Sequence, residues 1–323
     1  MENKIKKIGI LTSGGDAPGM NAAVRAVTRA ALSKGIQVVG VRRGYAGLIA
    51  GDVFDMSVRD VSNILQAGGT ALFSARSKEF TTEEGMQKAI KTCREHGIEG
   101  LVVVGGDGSY RGAGDLSVRG IPCIGIPGTI DNDISSTDYT IGFDTCVNCV
   151  VDMVDRIRDT MRSHERCSVV EVMGRHAGYI ALYAGISTGA AVVMVPEIEC
   201  KKEDVIKKIE EGRAVGKTNF IVMVAEGVGE AEELSKYIQD KTGIVTRATI
   251  LGHVQRGGSP TARDRVLASR FGYYAVELLE AGMSNRVVGI KDDKLVNYDI
   301  QEALAMKKEF PMHLYEVSND ISI

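Results

Sequence analysis

Short runs rich in apolar residues alternate with longer amphipathic segments along most of this chain. The runs lie at residues 5–11, 37–41, 100–104, 122–126, 168–172, 191–195, 220–225 and 245–251. Such runs are typical of strands in a parallel sheet whose two faces are both covered. Between them, the spacing of apolar residues predicts helices at about residues 18–34, 82–96, 144–163, 177–189, 201–211 and 230–240. Strand and helix therefore alternate, which predicts an α/β fold with mainly parallel sheets flanked by helices.

Two stretches are less regular. Residues 42–60 are punctuated by glycines and predict irregular structure, whereas residues 61–66 predict a short helix. No low-complexity segment marks a linker. A division into two domains is inferred from the length of 323 residues and from a break near residues 135–142.

Glycine-rich turns follow two of the predicted strands. The sequence TSGGD at residues 12–16 precedes a helix, and GGDGS at residues 105–109 places three glycines around Asp107. A turn that leads into a helix presents backbone N–H groups to a phosphate, although tight turns alone also select glycine. Asp107 adds a carboxylate of the kind that holds Mg²⁺. Neither GxxxxGK[ST] nor GxGxxG occurs, and GRAVGKT at residues 212–218 is one residue short and precedes a strand.

Two aspartates follow the run at residues 122–126, in the sequence PGTIDND at residues 127–133. Open α/β sheets bind ligands beyond the carboxyl ends of their strands. On an extended backbone, Asp131 and Asp133 point to opposite sides and cannot act together. On a turned backbone both can face a cleft, one as a general base and the other toward a metal. The alternative is an Asp/Asn turn whose carboxylates are merely solvated.

The second half of the chain carries a set of cationic side chains in loops or at the ends of elements. Guanidinium forks suit phosphate oxygens better than ammonium groups do. The alternative is that each one pairs with an acidic neighbour on the surface. The set predicts a phosphate site only if the fold brings its members together: Arg166, Arg175, Arg247, His253 and Arg256.

Composition and charge exclude several classes of protein. A net charge of -3 and a pI near 6.0 give no positive field of the kind that nucleic-acid binders carry. No run approaches the roughly 18 apolar residues of a membrane span, and the first apolar stretch is too short for a signal peptide. The six scattered cysteines, with a lone CxxC at Cys146 and Cys149, do not form a disulfide framework. We therefore expect a cytoplasmic protein that binds neither nucleic acid nor membrane.

Four motifs in one order resemble the bacterial ATP-dependent 6-phosphofructokinases: GGDGS at residues 105–109, PGTIDND at 127–133, MGR at 173–175 and GHVQRGGSP at 252–260. The resemblance extends to about residue 289. It implies a glycolytic kinase that uses Mg²⁺ and transfers the γ-phosphoryl group of ATP to the 1-hydroxyl of fructose 6-phosphate. It also implies a homotetramer with active sites shared between subunits. Residues 1–142 with 255–305 would form the larger, ATP-binding domain, and residues 143–254 with 306–323 the smaller, sugar-phosphate-binding domain.

The resemblance assigns roles to single residues. ATP would be bound by Gly15, Tyr45, Arg76, Ser77, Gly106, Asp107, Gly108 and Ser109, with Asp107 as the metal ligand. Asp131 would be the general base, flanked by Thr129 and Asp133, and the transferred group would be stabilised by Arg175 and Arg76. Besides Thr129 and Asp131, the sugar phosphate would be bound by Met173, Gly174, Arg175, Glu226, His253 and Arg256, with Arg166 and Arg247 supplied by a neighbouring subunit.

Departures from the family pattern bear on the phosphoryl donor and on regulation. Pyrophosphate-dependent relatives carry Asp where Gly108 stands and Lys where Gly128 stands, so the two glycines favour ATP. Ala191 and Val215 stand where the family usually has Glu and a basic residue in its effector site. Loss of one anion and one cation predicts blunted allostery. The site for ADP or phosphoenolpyruvate would otherwise be built from Arg25, Arg29, Arg158 and Lys217.

Rival hypotheses remain at this stage. A pyrophosphate-dependent phosphofructokinase would share most of the motifs. A lipid or dinucleotide kinase of the GGDG type would not need the loops PGTIDND and QRGGSP. A non-catalytic nucleotide sensor is disfavoured because Asp107, Asp131 and Arg175 are all present. A purely structural role has no feature in its favour.

Overall fold

The computed structural model describes residues 5–322. The chain divides into two compact units. The first comprises the residues up to Ile130, Ile134–Thr145 and Arg256–Lys308. The second comprises Asp131–Asp133, Cys146–Gln255 and the residues from Glu309 onward.

Strands and helices alternate along most of the described chain. The strands are β1 (Lys7–Thr12), β2 (Gln37–Val41), β3 (Val53–Met56), β4 (Gly100–Gly105), β5 (Cys123–Pro127), β6 (Cys167–Val172), β7 (Val192–Met194), β8 (Phe220–Ala225), β9 (Thr246–Ile250), β10 (Arg286–Lys291) and β11 (Lys294–Asp299). The helices are α1 (Met20–Ser33), α2 (Gly44–Ala50), α3 (Glu83–Glu95), α4 (Asp107–Val118), α5 (Phe143–His164), α6 (Tyr179–Ser187), α7 (Lys202–Ala214), α8 (Ala231–Thr242), α9 (Ala262–Glu280), α10 (Ile300–Ala305) and α11 (Met312–Asp320). Short 3₁₀ segments cover Glu79–Thr81 and Gly252–Arg256.

The first unit is built on a seven-stranded sheet in the order β11-β10-β5-β4-β1-β2-β3. The five inner strands pair in parallel, and β3 and β11 each add an antiparallel edge. Strand β4 is wholly buried, as expected for a strand with helices on both faces. Because β4 lies between β1 and β5, the carboxyl ends of these three strands are adjacent. The predicted α/β class with mainly parallel sheets is confirmed.

The second unit contains a parallel sheet of four strands in the order β7-β8-β6-β9. Its core combines apolar side chains of the strands with those of α7 and α8, including Val205, Ile209, Leu234 and Ile238. Strand β9 lies at one edge and is only partly buried.

Helix α3 begins with a side-chain cap. The Thr82 hydroxyl caps α3 by accepting a hydrogen bond from the Gly85 N–H at 3.1 Å. Glu83 and Glu84 occupy the first turn, where their negative charges interact favourably with the helix dipole. The helix predicted at about residues 82–96 is therefore present, and Thr82 is its cap.

Two local predictions are wrong. Residues 42–60 are not irregular, because they contain α2 and β3. Gly47 lies so close to the Arg42 carbonyl that a side chain would collide with it, so this glycine permits packing rather than breaking structure. Residues 61–66 form turns instead of a helix. The chain after them is held by a distant side chain, since the Asn21 amide donates to the carbonyls of Ala67 and Gly68.

Within residues 5–322, no helix has both the length and the apolar character needed to cross a membrane.

Candidate active site

The three polar loops singled out in the sequence meet at one end of the first unit's sheet. They follow β1, β4 and β5, which are neighbours. The Ser13 N–H donates to the Val104 carbonyl at 2.9 Å, and the Gly128 N–H donates to the Gly105 carbonyl at 3.0 Å. Gly105 packs so tightly against Ser13 and Ser109 that a side chain there would collide with both. The parallel topology thus places the first turn, the GGDGS loop and the start of the PGTIDND loop, residues 127–130, next to one another.

The GGDGS loop ends at the amino terminus of α4. Gly106 precedes the helix without any side-chain cap, and Asp107 lies exposed in the first turn. A Cβ atom at Gly108 would have no neighbour within 4 Å. The uncapped N–H groups of a helix terminus and the open space beside them suit an anion such as a phosphate.

Tyr45 is hydrogen-bonded to this loop. It is 6% exposed, and its hydroxyl donates to the Ser109 carbonyl at 2.6 Å. Its ring stacks on Phe80 with centroids 4.0 Å apart. Burial raises the pKa of Tyr45 well above its ordinary value, so the phenol stays protonated and remains a donor.

The loop that carries Arg76 and Ser77 is fixed to the first turn. The Ser74 hydroxyl donates to the Gly14 carbonyl at 2.6 Å. Ser77 accepts a hydrogen bond from the Phe80 N–H at 3.2 Å, while the Arg76 side chain is exposed. An exposed cation therefore extends from an anchored loop.

Arg256 lies against the first turn in this structure. Its Nη1 donates to the Asp16 carbonyl at 3.2 Å. The guanidinium group fills the space beside Gly15, where a Cβ atom would collide with it. Two residues to which the family resemblance gives different ligands, Gly15 for ATP and Arg256 for the sugar phosphate, are thus in contact within the first unit.

The PGTIDND loop turns rather than continuing as a strand. Asn132 has a φ of 53°, in the left-handed region that Asn tolerates. Of the two backbone alternatives considered from the sequence, the turned one is present. Asp131 is 8% exposed, so most of this residue is shielded from water.

Residues 173–175 form a tight turn at the carboxyl end of β6. Gly174 has a φ of 137° and lies so close to the Ala177 carbonyl that a side chain would collide with it. One Glu226 carboxylate oxygen accepts from the N–H groups of Gly174 (3.2 Å) and Arg175 (2.6 Å). The Arg175 side chain is exposed. Glu226 therefore shapes the turn from which the Arg175 side chain extends.

Gln255 and His253 lie in the 3₁₀ segment after β9. Gln255 is fully buried and accepts from the Met173 N–H at 3.1 Å, whereas His253 is exposed. The carboxyl end of the second unit's sheet thus brings together residues from the MGR and GHVQR motifs.

Arg166 and Arg247 lie at the opposite end of that sheet. Arg166 directly precedes β6, and Arg247 stands opposite Ser168 in the register of β6 and β9. Strand β6 has six residues, which corresponds to roughly 20 Å. The two arginines are therefore separated from Met173 and Arg175 of the same chain by the length of the sheet.

Two of the predicted effector residues, Arg158 and Lys217, donate to backbone carbonyls in this structure. Arg25 and Arg29 lie on α1. The Arg158 guanidinium donates to the Thr188 carbonyl, and the Lys217 ammonium donates to the Ser322 carbonyl at 2.7 Å. Burial and, secondarily, the charge of Arg158 lower the pKa of Lys217. These last two cations are thus close enough to repel each other.

Comparisons with known proteins decide the family. The model of the family described as Phosphofructokinase matches residues 7–279. The chain belongs to the phosphofructokinase family. It is 56% identical over 318 residues to the "ATP-dependent 6-phosphofructokinase" of Clostridium botulinum, covering 98% of this chain and 100% of the relative. It is also 56% identical over 319 residues to the protein of the same name in Bacillus thuringiensis, covering 99% and 100%. The resemblance proposed from the sequence motifs is confirmed.

A solved phosphofructokinase also shares the fold. The structure from Saccharomyces cerevisiae superposes with a TM-score of 0.89 at 36% identity. The match covers 98% of this chain but only 48% of the yeast chain. The chain therefore spans about half the length of that larger phosphofructokinase.

The residues of the first unit fit the divalent metal that a family of kinases implies. No group of three or more His, Cys, Asp or Glu residues that could hold an ion occurs within residues 5–322. A magnesium ion bound together with nucleotide phosphates needs only one or two protein carboxylates. Asp107 provides one, exposed beside the open space at Gly108.

Asp264 is a buried residue that sequence reasoning missed. It is 1% exposed and accepts hydrogen bonds from Gly142 and Thr145. Burial raises its pKa, and those hydrogen bonds partly oppose the shift. The sequence Thr261-x-x-Asp264 could have shown only a helix cap, because its partners lie about 120 residues earlier in the chain.

Proposed function

We propose that this chain is an ATP-dependent 6-phosphofructokinase. It transfers the γ-phosphoryl group of ATP to the 1-hydroxyl of fructose 6-phosphate, giving fructose 1,6-bisphosphate and ADP. The function predicted from the sequence is confirmed by the two relatives that carry this name at 56% identity. The observation that carries the proposal is the meeting of the first turn, the GGDGS loop and the PGTIDND loop at adjacent strand ends.

The first unit would bind ATP. The open amino terminus of α4 suits phosphate oxygens, and Gly108 leaves room for a nucleotide. Gly15, Arg76, Ser77 and residues 106–109 would line this space. The anchoring of the Arg76 loop to the first turn, through the Ser74 hydroxyl and the Gly14 carbonyl, supports this assignment. Tyr45 would act indirectly, since its hydroxyl supports the Ser109 carbonyl. When bound, Mg²⁺ at Asp107 would neutralise phosphate charge.

Asp131 would accept the proton of the sugar hydroxyl. Phosphoryl transfer needs mainly positioned reactants and stabilised charge, together with a group that accepts the proton. The shielded position of Asp131 supports this role, because a partly buried carboxylate interacts strongly with a hydroxyl brought beside it. Thr129 and Asp133 would orient the acceptor, and the guanidinium groups of Arg76 and Arg175 would stabilise the transferred group.

The second unit would bind the sugar phosphate at the carboxyl end of its sheet. Met173, Gly174, Glu226 and His253 support this assignment because they lie in adjacent turns at that end. Arg256 is assigned to the sugar phosphate by the family resemblance alone. Arg166 and Arg247 would serve the site of a neighbouring subunit, since the sheet's length separates them from the turns of their own chain. This arrangement requires an oligomer, and a homotetramer with shared sites is our proposal.

Regulation by ADP or phosphoenolpyruvate through Arg25, Arg29, Arg158 and Lys217 also remains a proposal, as does a cytoplasmic location. Ala191, where the family usually has a glutamate, is 2% exposed and lies in the second unit's core. Val215, where a basic residue is usual, is 71% exposed. We infer a weakened effector site.

Asp131→Asn tests the assignment. The substitution removes the proton acceptor with little change in shape, so kcat should fall by about 10²–10⁴-fold. The dissociation constant for ATP, measured by calorimetry, should change less than about threefold, because Asp131 lies outside the GGDGS loop. Asp115→Asn, a half-exposed carboxylate on α4, is the control and should retain full activity. A kcat for Asp131→Asn within tenfold of the unmodified protein would refute the role of Asp131 as the base.

A further inference from the structure

We propose that Asp264 is a positioning residue for phosphoryl transfer, because its buried carboxylate fixes the loop that carries Thr129 and Asp131. The expected effect on turnover rests on the proposed function. The expected effect on the order of the loop rests on the hydrogen bonds alone.

Three donors converge on the Asp264 carboxylate from the start of α5. The Gly142 N–H donates at 2.9 Å, the Thr145 N–H at 2.8 Å and the Thr145 hydroxyl at 2.5 Å. The Asp264 side chain therefore caps α5 although it belongs to the first turn of α9, about 120 residues later. A carboxylate can accept all three hydrogen bonds because its two oxygens offer about four acceptor positions.

The segment just before Gly142 is bound to the segment that leads to Asp131. The Ile141 N–H donates to the Pro127 carbonyl at 2.9 Å, and the Thr129 N–H donates to the Ile141 carbonyl at 3.1 Å. The Thr140 hydroxyl donates to the Thr129 carbonyl at 2.7 Å. Residues 127–129 and 140–141 thus form a short ladder. Asp264 is bonded to Gly142, which directly follows residues 140–141. Asp131 lies two residues after the other segment of the ladder, residues 127–129.

A second connection reaches the same point from the loop before α9. The Thr261 N–H donates to the Thr145 hydroxyl oxygen at 3.0 Å. The Thr261 hydroxyl donates to Asp144 at 2.6 Å. Thr261 also caps α9 by accepting from the Asp264 N–H at 3.3 Å. The starts of α5 and α9 are therefore bonded to each other, and the loop that ends at Thr261 begins directly after Arg256.

Asp264→Asn changes the acceptor pattern without changing the shape. An amide has one oxygen and one NH₂ group, so at least one of the three donors would face another donor. The ladder would lose its anchor at Gly142. Since a displacement of about 1 Å can cost on the order of 10²-fold in rate, we expect kcat to fall at least about tenfold. The KM for ATP should change less than about threefold, because the GGDGS loop is not bonded to Asp264.

Amide hydrogen exchange distinguishes a local loss of order in this loop from a general loss of stability. The N–H groups of Thr129 and Ile141 form the ladder, so Asp264→Asn should speed their exchange at least about tenfold while leaving the amides of β1 unchanged. This measurement does not depend on catalysis.

Asp299→Asn is the matched control. Asp299 caps α10 by accepting from the N–H groups of Gln301 (2.8 Å) and Glu302 (3.4 Å), and it also accepts from the Asn285 amide at 2.6 Å. The same substitution there should lower Tm but leave kcat and the exchange of the ladder unchanged.

The outcomes separate the possible failures. A lowered kcat together with faster ladder exchange, neither seen in Asp299→Asn, supports the proposal. An Asp264→Asn protein that loses only thermal stability overturns it. An unmodified protein that is inactive toward fructose 6-phosphate and ATP would refute the proposed function, while ladder exchange would still test the anchor. If Asp264→Asn does not fold, Thr145→Val takes its place, because it removes the hydroxyl that donates to Asp264. The same two measurements, kcat and exchange of the ladder amides, then test the proposal.

Discussion

Replacement of Gly108 by aspartate tests whether the open space beside α4 is where ATP binds. A Cβ atom at this position meets no heavy atom within 4 Å, so a side chain can begin here without a steric clash. Aspartate in the first turn of a helix also interacts favourably with the helix dipole, by about 0.3–1 kcal/mol. We therefore expect Gly108→Asp to fold normally, with Tm unchanged within about 3 °C.

The expected loss of ATP affinity follows from the added charge. A carboxylate about 4 Å from a phosphate oxygen is repelled by about 1 kcal/mol in water and about 4 kcal/mol at an effective dielectric constant of 20. Gly108 is exposed, so an intermediate value of about 2 kcal/mol is appropriate. That free energy corresponds to about a thirtyfold increase in the dissociation constant for ATP.

The assay measures initial rates with fructose 6-phosphate and Mg²⁺, with either ATP or pyrophosphate as the phosphoryl donor, beside thermal unfolding of the same proteins. Gly108→Asn provides the matched control, because it adds the same volume without the charge and should raise KM for ATP by less than Gly108→Asp does. If Gly108→Asp keeps its KM for ATP within threefold, the nucleotide does not bind beside Gly108. Rapid turnover of the unmodified protein with pyrophosphate would contradict the inference from Gly108 and Gly128.

Two further predictions concern regulation and thiol chemistry. Because Ala191 and Val215 stand where the family resemblance places an anion and a cation, we expect millimolar phosphoenolpyruvate to shift the half-saturating concentration of fructose 6-phosphate less than about threefold. A shift above tenfold would contradict the proposed weakening of the effector site. Cys149 and Cys200, which are partly exposed, should react with a thiol reagent in the native protein before the four buried cysteines, such as Cys93, whose pKa burial raises to about 12. Mass spectrometry of the labelled peptides checks that order, and early labelling of Cys93 would contradict the packing around it.

Much of the fold could be predicted because each buried strand is short, apolar and followed by a polar turn. Strands β2 and β8 have the predicted bounds, residues 37–41 and 220–225. The site loops could be located as well, since parallel topology places chemistry at the carboxyl ends of strands. The order of the strands, and hence the adjacency of β1, β4 and β5, depends on long-range pairing that local patterns do not encode.

The errors share a physical cause. Glycines at 44, 47 and 51 look like helix breakers in the sequence, yet Gly47 is needed because α2 packs against the Arg42 carbonyl. Residues 61–66 have a helical pattern but are followed by a segment that hydrogen-bonds to Asn21. Asp264 likewise acts on partners about 120 residues away. Tertiary contacts outweigh local preference at each of these positions.

The order of elements also determines how this protein can fold during synthesis. Strand β5 pairs with β10 through Ile124 and Arg286, whereas all four strands of the second unit lie within residues 167–250. On the ribosome, the second sheet can therefore form before β10 has been synthesised, so one edge of β5 is still unpaired. At a synthesis rate of about 5–20 residues per second, the interval between β5 and β10 lasts on the order of 10 s. An exposed edge of this kind is a site for aggregation. If translation stalls before residue 286, we therefore expect chaperones to bind the amino-terminal half of the chain, which contains β5, rather than the second sheet at residues 167–250.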